Sequence, residues 1–392
     1  MCCSFNEYLP YDCDIDNAIS AVISNYAQNF VQPVPLNFYS VRENLNHSKE
    51  QWLGYMFKYL PRSAAEATYL CNMYLSKPAV SKMFVSSKET IRILSVMCGN
   101  GGDILGALSV IIDMLATSDL TSYPDIEVTA VDGNPDALEQ LNELFKAYNE
   151  IKQSGVLKGK NCSITLKTVN FTFDNTSDES IYRSFDSLEE KLQGCIYDII
   201  TTFKGIGEII QNYVSFSGIS LRYNLFSKAF SNFAYASFLH VFASLLSQRG
   251  AVIVVDSAYL IEDRFNNKTM TNRLLAHQVF NYLKYCGTNQ DMHLVYPRPC
   301  ACITEGKGKP EKCLLNKERR ADSSDSCQIQ ERGAAQSVHN HDPECFVAMI
   351  LCHGKVHCAF NEGLSDNDFS DFNFKVVGEN IERKLKYVCD VM

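Results

Sequence analysis

Residues 91–103 read Ile91-Arg92-Ile93-Leu94-Ser95-Val96-Met97-Cys98-Gly99-Asn100-Gly101-Gly102-Asp103, and this stretch decides the fold. A short apolar run, IRILSV (91–96), ends at a cluster of glycines, and helical periodicity begins at once in GDILGALSVIIDMLA (102–116). A loop at the carboxyl end of a strand that leads into a helix N-terminus offers backbone N–H groups and the positive end of the helix dipole. Glycines there let the backbone approach a ligand that a Cβ would repel.

Working outward, strands and helices alternate. IEVTAVD (126–132) is a strand, PDALEQLNELFKAYNEI (135–151) an amphipathic helix, SITLKTV (163–169) a strand and YDIITTF (197–203) another. An apolar, aromatic helical region ending near Ser247 precedes GAVIVVD (250–256). That alternation predicts parallel pairing and a doubly wound α/β sheet. MHLVYP (292–297) and CFVAMILC (345–352) add a closing antiparallel pair, giving seven strands, five of them parallel before that pair.

Residues 1–87 read as an N-terminal helical region: one helix in DIDNAISAVISNYAQNF, an interruption at Pro33 and Pro35, and a second helix starting at Pro61 and running through RSAAEATYLCNMYL. Residues 88–303 and 345–392 form the core. Residues 304–344, with few apolar side chains and no period, are an insertion that is either mobile or organised by something other than a hydrophobic core.

The second chemical element is Val128-Thr129-Ala130-Val131-Asp132-Gly133-Asn134, where an acid ending the second strand can accept hydrogen bonds from ribose hydroxyls. A dinucleotide fingerprint would require glycine where Ile104 stands, and Gly101 lies 31 residues before Asp132 rather than about 20. At these residues the chain resembles the class I S-adenosylmethionine-dependent methyltransferases, with a Rossmann-like fold. Their first motif is an acid followed by x-Gly-x-Gly-x-Gly. Gly99 and Gly101 match its second and third glycines, Met97 stands at the first, and Ser95 stands at the acid. The resemblance implies cofactor contacts from Ser95, Met97, Cys98, Gly99, Asn100, Gly101, Asp132, Gly133 and Asn134. It also implies adenine contacts from the loop after the third strand, with Asn170 and Phe171 ahead of Asp174, and contacts from Thr202 and Phe203.

Methyl transfer is an in-line displacement, so positioning the nucleophile and removing its proton carry the catalysis. The residues after strand four, which the resemblance places at the methyl group, are Thr201 to Glu208. No Pro-Pro occurs in the chain, so the Asn/Asp-Pro-Pro-aromatic signature of exocyclic-amine methylation is absent. No cysteine follows strand four or five, which argues against thiolate chemistry on a pyrimidine. Lys204 and Glu208 remain as the candidate catalytic groups, with a solvated charge as the competing reading. Beyond them, Tyr213, Phe216 and Tyr223 are candidates to line an acceptor pocket.

A hydrophobic fraction of 46% and a charged fraction of 21% describe an ordinary soluble protein, and no run of 18 apolar residues predicts a membrane span. The start of the chain lacks the features of a secretory signal, so a cytoplasmic, reducing location is expected. The net charge of -9 argues against a surface that is basic all over. Of 16 cysteines, seven fall between Cys300 and Cys358. Cys300, Cys302, Cys313, Cys327 and Cys345, near His339 and His341, gather donors for zinc or an iron–sulfur cluster, with free thiols as the alternative. Lys307, Lys309, Lys312, Lys317, Arg319 and Arg320 make the same insertion basic enough to grip phosphates. With Leu60-Pro61-Arg62, these features give a loose similarity to methyltransferase-like proteins of the small ribosomal subunit. The expected acceptor is RNA or a small molecule, and the alternative is a non-catalytic binding or assembly factor on the same fold.

Overall fold

The computed structural model describes residues 16–28, 49–87, 89–118, 120–176, 178–192, 194–213, 234–257, 260–262, 268–270, isolated positions between 275 and 286, 289–296, 319–320, 328–331, 334–337 and 345–360. Helices α1 (Asn17–Gln28), α2 (Lys49–Leu75) and α3 (Pro78–Ser86) precede the alternating region. There follow β1 (Ile91–Val96), α4 (Gly102–Ala116), β2 (Ile126–Asp132), α5 (Pro135–Ser154), β3 (Ile164–Asn170), α6 (Asp178–Leu192), β4 (Tyr197–Phe203), α7 (Gly205–Tyr213), α8 (Ala234–Phe242) and β5 (Leu246–Ser257). Short strands β6 (Leu260–Glu262) and β7 (Lys268–Met270) pair with each other. Next come β8 (Met292–Tyr296), β9 (Arg319–Arg320), β10 (Gln328–Glu331), β11 (Ala334–Ser337), β12 (Cys345–His353) and α9 (Gly354–Phe360).

The main sheet runs β3-β2-β1-β4-β5-β12-β8, with β9 pairing to β12. The first five strands are mutually parallel, whereas β12 is antiparallel to both β5 and β8. The expected seven strands and antiparallel closing pair are therefore present. Side chains of each inner strand alternate between two apolar layers, as period 2 requires. Ile93, Ile199 and Ile253 face α1, α2, α4 and α5, and Leu94, Ile200 and Val252 face α6, α7 and α8. A doubly wound sheet with helices on both faces is the result.

Local chemistry sets the element ends nearest the carboxyl edge. Asn134 caps α5, its Oδ1 accepting from the backbone N–H of Asp136 and Ala137, and Pro135 takes the first helical position, where no N–H is needed. Gly101 precedes α4 in the left-handed region, at φ 77°. A Cβ there would lie 3.3 Å from Leu141 Cγ and closer still to Cδ1, so only glycine joins this turn to α5.

Three sequence expectations change. The second helix begins at Lys49, not at Pro61, which lies within α2. An interior proline costs about 3 kcal/mol because it removes a backbone hydrogen bond. The continuous buried stripe of Met56, Leu60, Ala64, Ala67, Leu70 and Cys71 offsets that cost. The helical region expected to reach Ser247 ends at Phe242, and β5 starts at Leu246. Here Ser247 Oγ and Arg249 Nε both donate to Asp198 Oδ1 at 2.7 Å, which draws the polar start of the strand onto β4. The insertion holds strand pairing that its composition does not foretell: β9 against β12, and β10 against β11.

Candidate functional site

The strand order reverses direction between β1 and β4, so the loops leaving these two neighbours diverge and open a crevice beyond their carboxyl ends. Four residues in those two loops have positive φ: Met97 at 60°, Gly99 at 52°, Gly101 at 77° and Lys204 at 67°. For Met97 and Lys204 this conformation is unfavourable, and such strain gathers at sites the surrounding structure over-determines. Met97 is held by contact with Gly205, where any Cβ would collide with the Met97 side chain.

Asp132 organises the loop after β1. Its Oδ2 accepts from Gly99 N at 2.8 Å and its Oδ1 from Asn134 N at 2.9 Å. Burial raises its pKa from the usual carboxylate value, and these N–H groups oppose the rise. A carboxylate has about four acceptor positions, so two backbone donors leave room for a further one. That vacancy suits a hydroxyl, and the positive-φ glycines leave the adjoining backbone uncovered by any Cβ. The residues present therefore fit the adenosyl half of S-adenosylmethionine.

Other predicted residues prove to be occupied by the fold. The Cys98 thiol is buried, and burial pushes its pKa well up, with Asp132 and Asp103 adding to the rise. Asn100 is buried and places its Nδ2 3.5 Å from Gln140 Oε1, while the Asn134 side chain is spent on the helix cap. These three offer a ligand their backbone only. Asn170 is exposed and donates to Gly133 O at 3.2 Å. Phe171 is half-buried, its N–H donating to Asp132 O at 2.9 Å and Lys191 Nζ lying 4.7 Å from its ring centroid. Asp174 turns away, accepting from Thr176 in its own turn.

At the start of the crevice, Ser95 Oγ and Thr201 Oγ1 each donate to Asp103 Oδ2 at 2.6 Å. Asp103 is 2% exposed, and burial raises its pKa against the pull of the two hydroxyls. The sequence reading missed it, although its acid stands in the first turn of α4, where a helix N-terminus tolerates negative charge. Thr202 is buried with its hydroxyl unpartnered, and Phe203 lies in the apolar layer shared with α2.

The two catalytic candidates part company. Lys204 Nζ reaches Glu66 Oε2 at 2.9 Å and Oε1 at 3.1 Å, and both side chains are nearly inaccessible. Glu66 comes from α2, far away in the chain, and no periodicity marked it. Glu208 sits half-exposed in the first turn of α7. A further carboxylate meets the same turn of α7: Asp256, near the end of β5, accepts from Gly207 N at 2.7 Å and from Tyr235 Oη at 2.8 Å.

Of the aromatic candidates, Phe216 and Tyr223 lie outside the described residues, and Tyr213 ends α7. Cys300, Cys302, Cys313 and Cys327 also lie outside them, and Cys345 is placed as the first residue of β12. Among the described residues, no group of three or more His, Cys, Asp or Glu is arranged to hold a metal ion, and no helix is long and apolar enough to cross a membrane.

A glycine loop tied to an acid at the switch point of a doubly wound sheet, with the last strand antiparallel, is the arrangement that the resemblance at Gly99, Gly101 and Asp132 implies. No family model and no curated protein matches the sequence. Similar solved structures include methyltransferases. The plantazolicin methyltransferase BpumL in complex with SAH shares 11% identity at a TM-score of 0.31, covering 80% of this chain and 94% of its own. The rRNA methyltransferase AviRa of Streptomyces viridochromogenes shares 13% identity at 0.28, covering 62% and 85%. An O-methyltransferase family protein of Burkholderia thailandensis shares 9% at 0.29, covering 59% and 48%. At such scores these likenesses add nothing to the topology, which rests on the sheet itself.

Proposed function

We propose that this protein is a methyltransferase that binds S-adenosylmethionine between the exits of β1 and β4. The observation that carries the reading is the bond between the two predicted elements: Gly99 N donates to Asp132 Oδ2, so the glycine loop and the acid form one unit at the switch point. When bound, the cofactor supplies an electrophilic methyl group on a sulfonium. Asp132 would accept from a ribose hydroxyl, the backbone at Gly99 and Gly101 would lie against the nucleoside, and Asn170 and Phe171 would border the adenine. Ser95, Thr201 and Asp103 fix the ends of β1 and β4 relative to each other. Lys204, already engaged by Glu66, acts as a fixed charge rather than as a proton acceptor, which leaves Glu208 as the half-exposed carboxylate positioned to take an acceptor's proton.

The acceptor is RNA or a small molecule. The zinc or iron–sulfur reading of Cys300 to Cys345 rests on the sequence alone, and elemental analysis after anaerobic purification tests it. The engagement of Lys204 favours one alternative, a non-catalytic binding or assembly factor on the same fold. Incubating the full chain with cell extract and S-adenosylmethionine labelled in its methyl group separates the two. Label appearing in RNA or in a small molecule, and lost with Glu208→Gln, supports transfer. Label in neither, from a protein that binds the cofactor, supports the binding factor.

A further inference from the structure

Two successive residues of β5 hold the turn between β4 and α7. Lys204 N donates to Val255 O at 2.7 Å, and Gly207 N donates to Asp256 Oδ2 at 2.7 Å. Glu208 N in turn donates to Lys204 O at 3.3 Å, so Glu208 hangs on a turn that β5 fixes at both ends. Asp256 Oδ2 also accepts from Tyr235 Oη at 2.8 Å, and Tyr235 N donates to Gln278 Oε1 at 2.8 Å at the start of α8. Asp256 and Tyr235 are both 0% exposed, which places this network inside the fold rather than on the wall of the crevice. One carboxylate oxygen thereby ties β5 to α7 and α8, the two helices that flank residues 214–233. Gly207 belongs to the same arrangement. A Cβ there would fall 2.6 Å from Asp256 Oδ2 and 2.8 Å from its Cγ, so only glycine lets the turn sit this close to the carboxylate.

We propose that Asp256 is a positioning residue for methyl transfer: by holding the Gly207 backbone and the Tyr235 phenol it sets where Glu208 stands, and it takes no proton itself. The inference rests on the function proposed above and adds a division of labour to it. Asp132 and the glycine loop serve the cofactor at the exits of β1 and β2, whereas Asp256 serves the acceptor side at the exits of β4 and β5. In-line transfer tolerates little displacement, and a shift of about 1 Å in a reacting group costs up to about 100-fold in rate. Loosening the turn therefore slows transfer and leaves the cofactor's affinity as it was. The position needs an acceptor more than a charge, because the bonds from Gly207 and Tyr235 end on the same oxygen, which an asparagine carbonyl reproduces.

The test gives the full chain cell extract and saturating S-adenosylmethionine labelled in its methyl group. Transfer rates are expressed per folded molecule, counted by isothermal titration with S-adenosylhomocysteine, which also gives the affinity. Asp256→Ala removes the acceptor oxygen, Gly207→Ala pushes the turn off it, and Asp256→Asn keeps it. The expected rate falls at least about tenfold in Asp256→Ala and in Gly207→Ala and stays near the wild type in Asp256→Asn. The affinity for S-adenosylhomocysteine is expected to be unchanged in all three. A merely structural carboxylate would lower the folded fraction but not the rate per folded molecule. A carboxylate that took the proton itself would lose as much in the asparagine variant as in the alanine one. Either result overturns the proposal, as does a fall in affinity that matches the fall in rate. Should Asp256→Ala fail to fold, Gly207→Ala and Asp256→Asn decide the matter by the same comparison. A wild type that transfers no label removes the proposed transfer, and this inference with it; a wild type that transfers, with every variant indifferent, removes only the inference.

Discussion

Replacing Gly106 by alanine sets helix propensity against packing. In an isolated helix the change favours folding by about 1 kcal/mol. In the protein, a Cβ at 106 falls 2.9 Å from Ala67 Cβ and nearer still to the carbonyl oxygen of Ala64. Carbon atoms rest about 3.5–4.0 Å apart, so α2 has to retreat from α4 by on the order of 1 Å. The obstacle is backbone, which no rotamer change can clear. Overpacking of this kind costs about 1–3 kcal/mol, and a backbone obstacle puts it near the upper end. After subtracting the propensity gain, the net loss is about 2 kcal/mol. With an m-value of about 3 kcal/mol/M, the urea midpoint drops by roughly 0.7 M. Urea unfolding followed by far-UV circular dichroism reads this directly. A midpoint that stays put or rises would show that α2 does not lie against α4 as described, and would remove the basis for any role of α2 at the crevice.

Two further outcomes are expected away from the crevice. Asp198, 4% exposed, accepts from Arg92 N, Ser247 Oγ and the Nε and Nη2 of Arg249. Asp198→Ala leaves the largely buried Arg249 guanidinium with the carbonyls of Met83 and Thr90 and the exposed Glu89 carboxylate in place of its closest counter-charge, and lowers stability by about 3 kcal/mol in urea unfolding, whereas a loss below about 1 kcal/mol would refute the pairing. His357 stacks on His293 with ring centroids 4.8 Å apart, and burial, with His293 adding to it, lowers its pKa to about 4. The unfolded chain takes up that proton near the ordinary value of 6.5, so the stabilisation is complete above pH 6.5 and is lost as the pH falls towards 4. Discounted for its partial exposure, the loss is about 1–2 kcal/mol, and a His357→Gln variant should show a flatter stability profile between those limits. Parallel profiles for the two proteins would contradict it.

The sheet was legible because each inner strand is a compact apolar run ending at a turn: IRILSV, IEVTAVD and YDIITTF appear with the expected bounds. Their parallel pairing followed from the helices between them. The insertion of β12 between β5 and β8 was not legible, because strand order depends on long-range packing that no local pattern encodes. Gly99, Gly101 and Asp132 stood out through spacing, and the structure adds a hydrogen bond from Gly99 to Asp132 that the spacing did not show. Asn100 and Cys98 looked equally accessible in the loop, yet their side chains turn towards α5 and the core. Glu66 was invisible for the opposite reason: one glutamate among the small and apolar residues 63–71 of a helix that carries other charges reads as a solvated charge until β4 brings Lys204 against it. Pro61 misled because interior prolines usually mark helix starts, and only the buried stripe on both sides of it shows otherwise.

Isothermal titration of the full chain with S-adenosylhomocysteine measures whether residues 97–101 and Asp132 form one cofactor site. The proposed function predicts saturable binding to the wild type at one site per chain, weakened at least tenfold by Asp132→Ala, which removes the proposed ribose acceptor together with the anchor of Gly99. A wild type that gives no binding heat, or an Asp132→Ala titration that matches the wild type, would contradict it.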